Sequence, residues 1–278
     1  MNIDEIIAKA LEEDLGDGDH TSLSTIPKNA QGKAKLLVKE KGILAGVEIA
    51  RKVFYAVDKD IIFTQLMEDG QEIQPGDVAF TVEGKSISLL SSERLALNFL
   101  QRMSGIATQT ASIVKLLEGT KTKILDTRKT TPLMRPLEKM AVKIGGGENH
   151  RMGLYDMIMI KDNHVDFAGG IVPAIKACKD YLNTNNKSLK IELEVRDFNE
   201  LNEALEYGGV DRIMLDNFTP DDTIKALQII DGKVETESSG GINLSNIRDY
   251  ANTGVDYISV GALTHQINSL DLSLKACE

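Results

Sequence analysis

Residues 126–164 hold most of the side chains that could do chemistry in this 278-residue chain. Seven Lys or Arg residues stand against five Asp or Glu residues in this segment, so its local charge is +2, whereas the whole chain carries −10. A binding site responds to the focused local potential and not to the net charge of the protein. A basic segment in an acidic protein therefore favours a small ligand with several negative charges.

Four cationic side chains in this segment could bind such a ligand: Arg128, His150, Arg151 and Lys161. Arginine guanidinium groups bind carboxylates through two parallel hydrogen bonds. Two or three such groups around one pocket favour a ligand with more than one carboxylate. His150 has three interpretations, as a cationic ligand, a general acid or a structural donor. Lys129 follows Arg128 and alternates away from it, so it could face phosphates instead.

Polar residues also stand at the end of each apolar strand pattern in the C-terminal half. In βα barrels the active site lies at the carboxyl ends of the strands. A single charged residue there could simply be solvated. Functional residues at the corresponding position of six strands instead favour a ring of functional groups. The six are Asp126, Lys161, Glu194, Asp216, Glu237 and Gly261.

Glu194 and Asp216 are carboxylates at the ends of neighbouring predicted strands. Oxygen ligands of this kind suit Mg²⁺, shared with a substrate phosphate and water. The alternative is a buried acid paired with Lys161 or Lys129. Zinc is not expected, because the sequence offers no Cys/His ligand set.

Two short runs of small residues, SSGG (238–241) and VGA (260–262), follow the last two predicted strands. Small residues leave backbone N–H groups accessible, and such loops before a helix bind phosphate. Glycine also ends turns, so either run alone would be weak support. Together they favour a phosphate site on the last two strands.

From residue 121 onward, strand patterns alternate with helix patterns, which favours a parallel sheet with right-handed crossovers. Six or seven strands in this length are too few for an eight-stranded barrel, which needs about 250 residues. An incomplete βα barrel is the best fit and a doubly wound open sheet is the alternative, weakened by the lack of a GxGxxG motif. The predicted strands are 122–126, 157–161, 189–195, 212–216, 233–237 and 256–260, with a seventh near 141–144.

The first 90 residues read as an α+β module with a small sheet. Residues 86–90 (SISLL) are predicted to be its last strand. A long helix over 91–118, opened by Ser91 or Ser92 and interrupted at Gly105, is predicted to follow.

The bulk properties exclude several classes of protein. A charge of −10 argues against a nucleic-acid binder, and no apolar run approaches the roughly 18 residues of a membrane span. The two cysteines, Cys178 and Cys277, lack metal-type spacing and read as reduced thiols. The N-terminal sequence has no apolar signal core, so a cytoplasmic protein is expected.

With these motifs, the chain resembles the quinolinate phosphoribosyltransferase family along nearly its whole length. The motifs that carry the resemblance occur in the family's order. They are ALEEDLGDGDHTS (10–22), ERLALNFLQRMSGIAT (93–108), DTRKTTP (126–132), EKMAVKIGGGENHRMGL (138–154), MIKDNH (159–164), IELEV (191–195), IMLDN (213–217), ESSGGI (237–242) and VDYISVGALTH (255–265).

The resemblance implies an N-terminal α/β sandwich domain over 1–108 and a seven-stranded incomplete βα barrel over 109–265, the type II phosphoribosyltransferase fold. Residues 266–278 would pack back on the first domain. The implied reaction joins quinolinate to 5-phosphoribosyl 1-diphosphate (PRPP), with Mg²⁺, to give nicotinate mononucleotide, diphosphate and carbon dioxide in NAD biosynthesis.

The resemblance also implies a role for each matching residue. The residues for the dicarboxylate are Arg94, Arg128, His150, Arg151 and Lys161. Thr127 and Lys129 line the site. Glu194 and Asp216 meet the ribose hydroxyls and magnesium. The phosphate residues are Ser239, Gly240, Gly241, Val260, Gly261 and Ala262, with His265 nearby. The predicted catalytic residues among these are Lys129, Lys161, Glu194 and Asp216.

The family's assembly would be a homodimer, or a hexamer of three dimers, in which Arg94 reaches the dicarboxylate of the neighbouring subunit. The alternative is that Arg94 pairs locally on its own helix. The sequence departs from the family at Leu133, where a glycine usually follows the proline, and at Gln266, where a small residue is usual.

Two other functions stay open at this stage. The first is a sibling transferase that uses nicotinate or another aromatic acid, which needs one carboxylate clamp where quinolinate needs two. The second is a phosphate-ligand binder without activity on the same barrel, against which the carboxylates beside the phosphate loops argue.

Overall fold

The computed structural model describes residues 2–277, which group into two compact units. The first unit contains the chain up to Ser112, then Lys129–Gly146, and the chain from Ala262 onward. The second unit contains Ile113–Arg128 and Gly147–Gly261. The domain boundary predicted between residues 108 and 109 stays a prediction.

The first 116 residues form four helices and five strands. In chain order they are α1 (Ile3–Leu15), α2 (His20–Thr25), β1 (Gln31–Val38), β2 (Gly42–Ile43), α3 (Val47–Val57), β3 (Ile62–Gln65), β4 (Glu72–Ile73), β5 (Val78–Lys85) and α4 (Ser86–Leu116).

The rest of the chain alternates strands with helices from residue 123 onward. In chain order these elements are β6 (Lys123–Leu125), α5 (Arg135–Ile144), β7 (Ile158–Ile160), α6 (Asp162–Ala168), α7 (Ile171–Thr184), β8 (Ile191–Val195), α8 (Phe198–Tyr207), β9 (Arg212–Asp216), α9 (Pro220–Ile230), β10 (Glu235–Ser239), α10 (Ile247–Asn252), β11 (Tyr257–Ser259), α11 (Ala262–His265) and β12 (Leu272–Cys277).

The first unit is built on a four-stranded antiparallel sheet with the order β12-β1-β5-β3. Alternate residues of β1, namely Ala34, Leu36 and Val38, are buried, as expected for a strand with one face on a core. Phe54 of α3 and Phe80 of β5 pack edge to face in that core, with ring centroids 6.2 Å apart. The C-terminal strand β12 pairs with β1, so the end of the chain returns to this sheet.

The long helix α4 begins five residues earlier than Ser91, so the strand predicted over 86–90 is wrong. A short apolar run does not by itself distinguish a strand from a buried helical turn. Of the break or kink considered at Gly105, the break is absent, because α4 continues through this residue. A Cβ at Gly105 would lie 2.1 Å from the carbonyl oxygen of Asn268, so this glycine allows a close backbone approach.

The second unit is built on a six-stranded parallel sheet with the order β6-β11-β10-β9-β8-β7. Beyond β6 the sheet continues only as a parallel bridge between Leu125 and Glu148. The short strand predicted near 141–144 is wrong, because these residues lie in α5, whose amphipathic spacing buries Leu137, Ala141 and Val142. The incomplete βα barrel is otherwise confirmed.

Residues on β8 and β9 alternate between two faces, and this alternation positions the site. Leu193 and Val195 of β8, with Ile213 and Leu215 of β9, belong to the hydrophobic core. The intervening residues, among them Glu194 and Asp216, occupy the opposite face. No helix within residues 2–277 has the length and apolar character needed to cross a membrane.

Leu133 adopts the left-handed backbone conformation, with φ of +67°. The other non-glycine residues with positive φ among residues 2–277 are Asn186, Asn217 and Asp231, and these residue types tolerate that conformation. The Cβ of a leucine makes it unfavourable, and the side chain of Leu133 is 66% exposed, so little packing offsets the strain. This is the position at which the resemblance predicts a glycine.

Replacing Leu133 with glycine should therefore stabilise the protein. Relief of about 1 kcal/mol of backbone strain outweighs about 0.5 kcal/mol of added unfolded-state entropy. The melting temperature should rise by about 1–2 °C for a chain of this size. Leu133→Ala is the matched control, because it keeps the Cβ and should show no rise. Thermal unfolding followed by circular dichroism measures both variants, and a lower melting temperature for Leu133→Gly would contradict the strain.

Candidate active site

Lys161 follows β7, Glu194 is the last residue but one of β8, and Asp216 ends β9; these three parallel strands are neighbours in the sheet. Lys161 Nζ lies 3.0 Å from Glu194 Oε2, so the ion pair weighed from the sequence is present. The Glu194 side chain is 7% exposed and that of Lys161 is 46% exposed, so the cation remains accessible. Burial, and then the negative charge of Glu194, raise the pKa of Asp216. The two carboxylates are therefore close enough for their negative charges to interact.

Arg128 and Arg151 lie near each other in the second unit. The pKa of Arg151 is lowered, first because the guanidinium is partly buried and then because the charge of Arg128 opposes it. Arg151 Nη1 donates to the carbonyl oxygen of Met157 at 3.1 Å, which fixes one side of its guanidinium. Two like charges held together in this way are stabilised by an anion that reaches both.

The imidazole of His150 lies in the protein interior. Its Nε2 is 3.0 Å from Glu192 Oε2 and 3.5 Å from Glu237 Oε2, and the His150 side chain is only 5% exposed. Its Nδ1 accepts a hydrogen bond from the backbone N–H of Arg151 at 2.7 Å. Both ring nitrogens therefore face protein atoms.

Burial opposes the positive charge of His150, but the hydrogen bonds and charges of Glu192 and Glu237 raise its pKa to about 9. The amide of Arg151 acts against this, since an imidazolium has no acceptor nitrogen for it. The Arg151 amide thus needs Nδ1 as an acceptor, while Nε2 faces the two glutamates.

Sequence reasoning missed Glu192 and placed Glu237 only as a strand end. Both carboxylates are fully buried, with side chains 0% exposed. The signal was present in IELEV, because two acids at alternate positions of one strand share a face. Glu192 was missed because the residues before the carboxyl end of a buried barrel strand were expected to be apolar.

The loop after β10 has the geometry of a backbone cradle. Ser239 ends the strand, and its carbonyl oxygen accepts from the backbone N–H of Asn217 at 2.9 Å. Gly240 and Gly241 follow with φ of +89° and +65°, a conformation that glycine adopts without strain. A Cβ at Gly240 would lie 2.3 Å from Asn217 Oδ1, whereas a Cβ at Gly241 would meet no heavy atom within 4 Å.

Gly240→Ala should therefore damage this loop more than Gly241→Ala does. Both variants place an alanine in the strained left-handed conformation. Only in Gly240→Ala does the added Cβ also collide with Asn217. For PRPP, the substrate that the resemblance implies, we expect a Michaelis constant at least about 10-fold higher in Gly240→Ala than in Gly241→Ala, since a displacement near 1 Å can cost about 100-fold. Steady-state kinetics with both variants test this, and equal constants would show that the contact with Asn217 does not matter.

The second predicted phosphate loop differs from the expectation at its first residue. The backbone N–H of Val260 donates to the carbonyl oxygen of Leu125 at 3.0 Å, so the strand ladder uses this donor. Gly261 is half-buried and ends the second unit. Ala262 and His265 open and close α11 in the first unit, and His265 is exposed.

The remaining predicted residues are Thr127, half-buried in the second unit, and Arg94 and Lys129, both exposed in the first. Arg94 lies on α4, and its side chain makes no hydrogen bond or ion pair with any of residues 2–277. The local pairing considered for Arg94 is therefore absent. The carbonyl oxygen of Lys129 accepts from Thr264 Oγ1 at 2.8 Å, which fixes the backbone at that residue.

A buried ion pair missed by the sequence analysis supports the loop of Lys129. Arg102 Nε donates to Glu138 Oε1 at 2.8 Å, and the Glu138 side chain is 0% exposed. The other oxygen of Glu138 accepts from the Thr131 backbone N–H at 3.1 Å, and Arg102 Nη2 donates to Thr131 Oγ1 at 2.7 Å. Residues 129–131 are thus held at several backbone and side-chain atoms.

An incomplete βα barrel with this arrangement of charges at its strand ends suits the binding of a small, multiply charged anion. Comparison with known proteins identifies the class. The family model described as quinolinate phosphoribosyl transferase, C-terminal domain, matches residues 106–275, and the corresponding N-terminal domain model matches residues 19–104.

Individual relatives agree with the family models. Quinolinate phosphoribosyltransferase [decarboxylating] 1b of Nicotiana tabacum is 43% identical over 97% of this chain and 81% of its own length. The probable nicotinate-nucleotide pyrophosphorylase [carboxylating] of Bacillus subtilis is 42% identical over 94% and 89%. The crystal structure of NadC from Streptococcus pyogenes has a TM-score of 0.93 at 38% identity, over 99% of this chain and 97% of that one. The chain therefore belongs to the quinolinate phosphoribosyltransferase family.

Proposed function

We propose that this protein transfers the phosphoribosyl group of PRPP to quinolinate with decarboxylation. The products are nicotinate mononucleotide, diphosphate and carbon dioxide, in the biosynthesis of NAD. The observation that carries the proposal is the pair of arginines, Arg128 and Arg151, whose positive charges oppose each other in the family's own motif positions. A ligand with two adjacent carboxylates fits that pair better than a ligand with one.

Lys161, Arg128 and Arg151 hold the dicarboxylate in this proposal, and Thr127 and Lys129 line the site. The glycine loop Ser239–Gly241 and the segment 260–262 bind the phosphate of the phosphoribosyl group, with His265 nearby. The backbone geometry after β10 supports the first of these loops, and the occupied amide of Val260 leaves the donors of the second to its later residues. His150 contributes through its backbone neighbours, because its ring faces Glu192 and Glu237.

Glu194 and Asp216 would hold Mg²⁺ together with the ribose hydroxyls. Their oxygen donors fit this ion, and burial, followed by the negative charge of Glu194, raises the pKa of Asp216. When bound, Mg²⁺ supplies charge stabilisation for the departing diphosphate.

The reaction needs no covalent intermediate on the protein. The pyridine nitrogen attacks the anomeric carbon, and the bond to diphosphate breaks with both electrons leaving on the diphosphate oxygen. The bond from ring carbon 2 to its carboxylate then breaks, and its electron pair stays on carbon 2, stabilised by the adjacent cationic nitrogen, until a proton binds there. Binding both substrates in line and offsetting their charges account for the catalysis.

The test compares quinolinate with nicotinate as acceptors in the presence of PRPP and Mg²⁺. We expect product from quinolinate with a kcat/KM at least about 100-fold above that for nicotinate, because the second carboxylate pairs with a preformed arginine. Preference for nicotinate would favour a sibling transferase. Binding of PRPP without turnover of either acid would favour a phosphate-ligand binder.

We further propose a homodimer, alone or as three dimers in a hexamer, with Arg94 completing the site of the neighbouring subunit. Arg94 is exposed on α4 and lacks a partner within residues 2–277, which supports a role toward another molecule. A symmetric dimer would supply two such sites.

Mixing two inactive variants, Arg94→Ala and Lys161→Ala, should restore activity after subunits exchange. Random pairing makes about half of the dimers mixed, and each mixed dimer rebuilds one of two sites, so roughly a quarter of the sites recover. The matched control mixes Lys161→Ala with Glu194→Ala, whose residues belong to one barrel and should not complement each other. Lack of recovery in a mixture with proven exchange would contradict the shared site.

A cytoplasmic location is also proposed. Cys178 and Cys277 are both unpaired thiols, which suits a reducing compartment.

A further inference from the structure

The interior of the second unit holds a buried cluster of three side chains, His150, Glu192 and Glu237. Ligand-capable atoms of the three residues all lie within 4.8 Å of one another. The parallel strands explain the placement, since Glu192 precedes Glu194 by two residues and Glu237 precedes Ser239 by two. The cluster therefore forms a layer one step below the residues proposed to bind substrate.

Burying two carboxylates is costly for stability unless other groups compensate their charge. Arg212 offsets part of the cost, since its Nη1 lies 3.2 Å from Glu237 Oε2 and 4.0 Å from Glu192 Oε2. Both oxygens of Glu192 and Oε1 of Glu237 nevertheless accept no hydrogen bond among residues 2–277, so Glu192 contacts His150 and Arg212 only as an ion pair. Stability alone gives no reason for this arrangement, because apolar residues at these positions would cost less.

The spacing of the cluster also resembles a metal site, but the guanidinium of Arg212 already provides the cation that the carboxylates require. A second cation beside Arg212 would be repelled. The cluster is therefore better explained by what the imidazole does for its neighbours.

His150 links the two glutamates to Arg151. Its ring presents Nε2 to the carboxylates and Nδ1 to the Arg151 backbone N–H, and its own backbone N–H donates to Asp126 Oδ1 at 2.9 Å. Rotation of the ring away from the glutamates would break the bond to Arg151. The orientation of the imidazole and the backbone position of Arg151 are thus coupled.

We propose that Glu192 and Glu237 are positioning residues that fix the His150 ring and, through it, place Arg151 for the second carboxylate of the acceptor. The inference rests on the proposed function, in which Arg151 binds quinolinate. It assigns no contact between these glutamates and substrate. Loss of either glutamate should therefore weaken the binding of quinolinate and leave that of PRPP nearly unchanged.

The test uses the near-isosteric variants Glu192→Gln and Glu237→Gln. The Michaelis constant for quinolinate, and its dissociation constant by calorimetry, should rise about 10-fold to 100-fold, the range found when a group that orients a ligand-binding residue is lost. The Michaelis constant for PRPP should change less than about twofold, because the proposal couples the cluster to Arg151 and not to the groups that bind PRPP.

Glu235→Gln is the matched control. Glu235 lies on the same strand, two residues before Glu237, and pairs with Arg212 at 3.1 Å. It has no contact with His150 and is 37% exposed. This variant should keep the wild-type constants for both substrates. An equal effect in Glu235→Gln would assign the result to Arg212 and overturn the proposal.

A double-mutant cycle separates positioning from general loss of structure. In an Arg151→Ala background, Glu237→Gln should leave quinolinate affinity unchanged within about twofold, because its effect passes through Arg151. Additive effects, or equal losses for both substrates with a lowered melting temperature, would overturn the proposal. If a glutamine variant does not fold, Glu237→Asp takes its place and must show the same selectivity. A wild-type protein that does not bind quinolinate would refute the proposed function itself. That outcome is distinct from failure of the positioning proposal, in which the wild-type protein binds quinolinate and only the variants behave differently from expectation.

Discussion

Lys161→Ala should lower kcat/KM for quinolinate by about 100-fold to 1,000-fold, the usual loss when one preorganised charge or donor is removed from a site. Lys161 follows β7 at the ring of strand ends, and its side chain is 46% exposed while paired with Glu194. The alanine variant removes a cation from the dicarboxylate and leaves the largely buried carboxylate of Glu194 without its partner. Steady-state kinetics with both substrates varied measure the loss.

The fold should survive this change, since the lysine is half-exposed and belongs to no hydrophobic core. Lys190→Ala is the matched control: this lysine is 63% exposed and pairs with Glu235 at 3.6 Å. The control should keep activity within about twofold, as expected for an exposed ion pair. Activity of Lys161→Ala within twofold of wild type would contradict the role given to Lys161.

Removal of divalent cations should abolish turnover, and added Mg²⁺ should restore it. Burial, and then the negative charge of Glu194, raise the pKa of Asp216, and the leaving diphosphate adds further negative charge. Without a cation, that charge opposes both PRPP binding and diphosphate departure. The assay follows nicotinate mononucleotide after exhaustive chelation and on titration with Mg²⁺.

Asp216→Asn provides the matched variant for this experiment. It removes one negative charge with little change in volume, so it should raise the Mg²⁺ concentration needed for half-maximal rate by about 10-fold, the effect of losing one favourable charge contact of about 1.4 kcal/mol. Full turnover in the chelated wild-type protein would contradict the metal requirement. An unchanged Mg²⁺ dependence in Asp216→Asn would remove Asp216 from the ligand set.

The sequence predicted the parallel strands of the second unit well because their apolar runs are short and separated by helices of regular period. The strand Arg212–Asp216 has the predicted bounds. The predictions failed where one local pattern fits two structures, as in residues 86–90, which begin α4. They also failed at α6 (Asp162–Ala168), a helix too short to show a period.

The candidate site likewise contains residues that the sequence could predict and residues that it could not. Strand-end residues such as Lys161 and Glu194 could be predicted, because parallel strands bring their carboxyl ends together. The direction of the His150 ring could not, since it depends on two glutamates that are distant in sequence. The Arg102–Glu138 pair was equally hidden, because only the folded chain brings α4 and α5 together at the loop of Lys129.

The central claim is that phosphoribosyl transfer to quinolinate is accompanied by loss of the carboxylate adjacent to the ring nitrogen. Quinolinate labelled with ¹⁴C in that carboxylate, incubated with the protein, PRPP and Mg²⁺, tests it most directly. The account predicts that label appears as carbon dioxide in an amount equal to the nicotinate mononucleotide formed. A mononucleotide product that retains the label, or the absence of both products while the protein is folded, would contradict it.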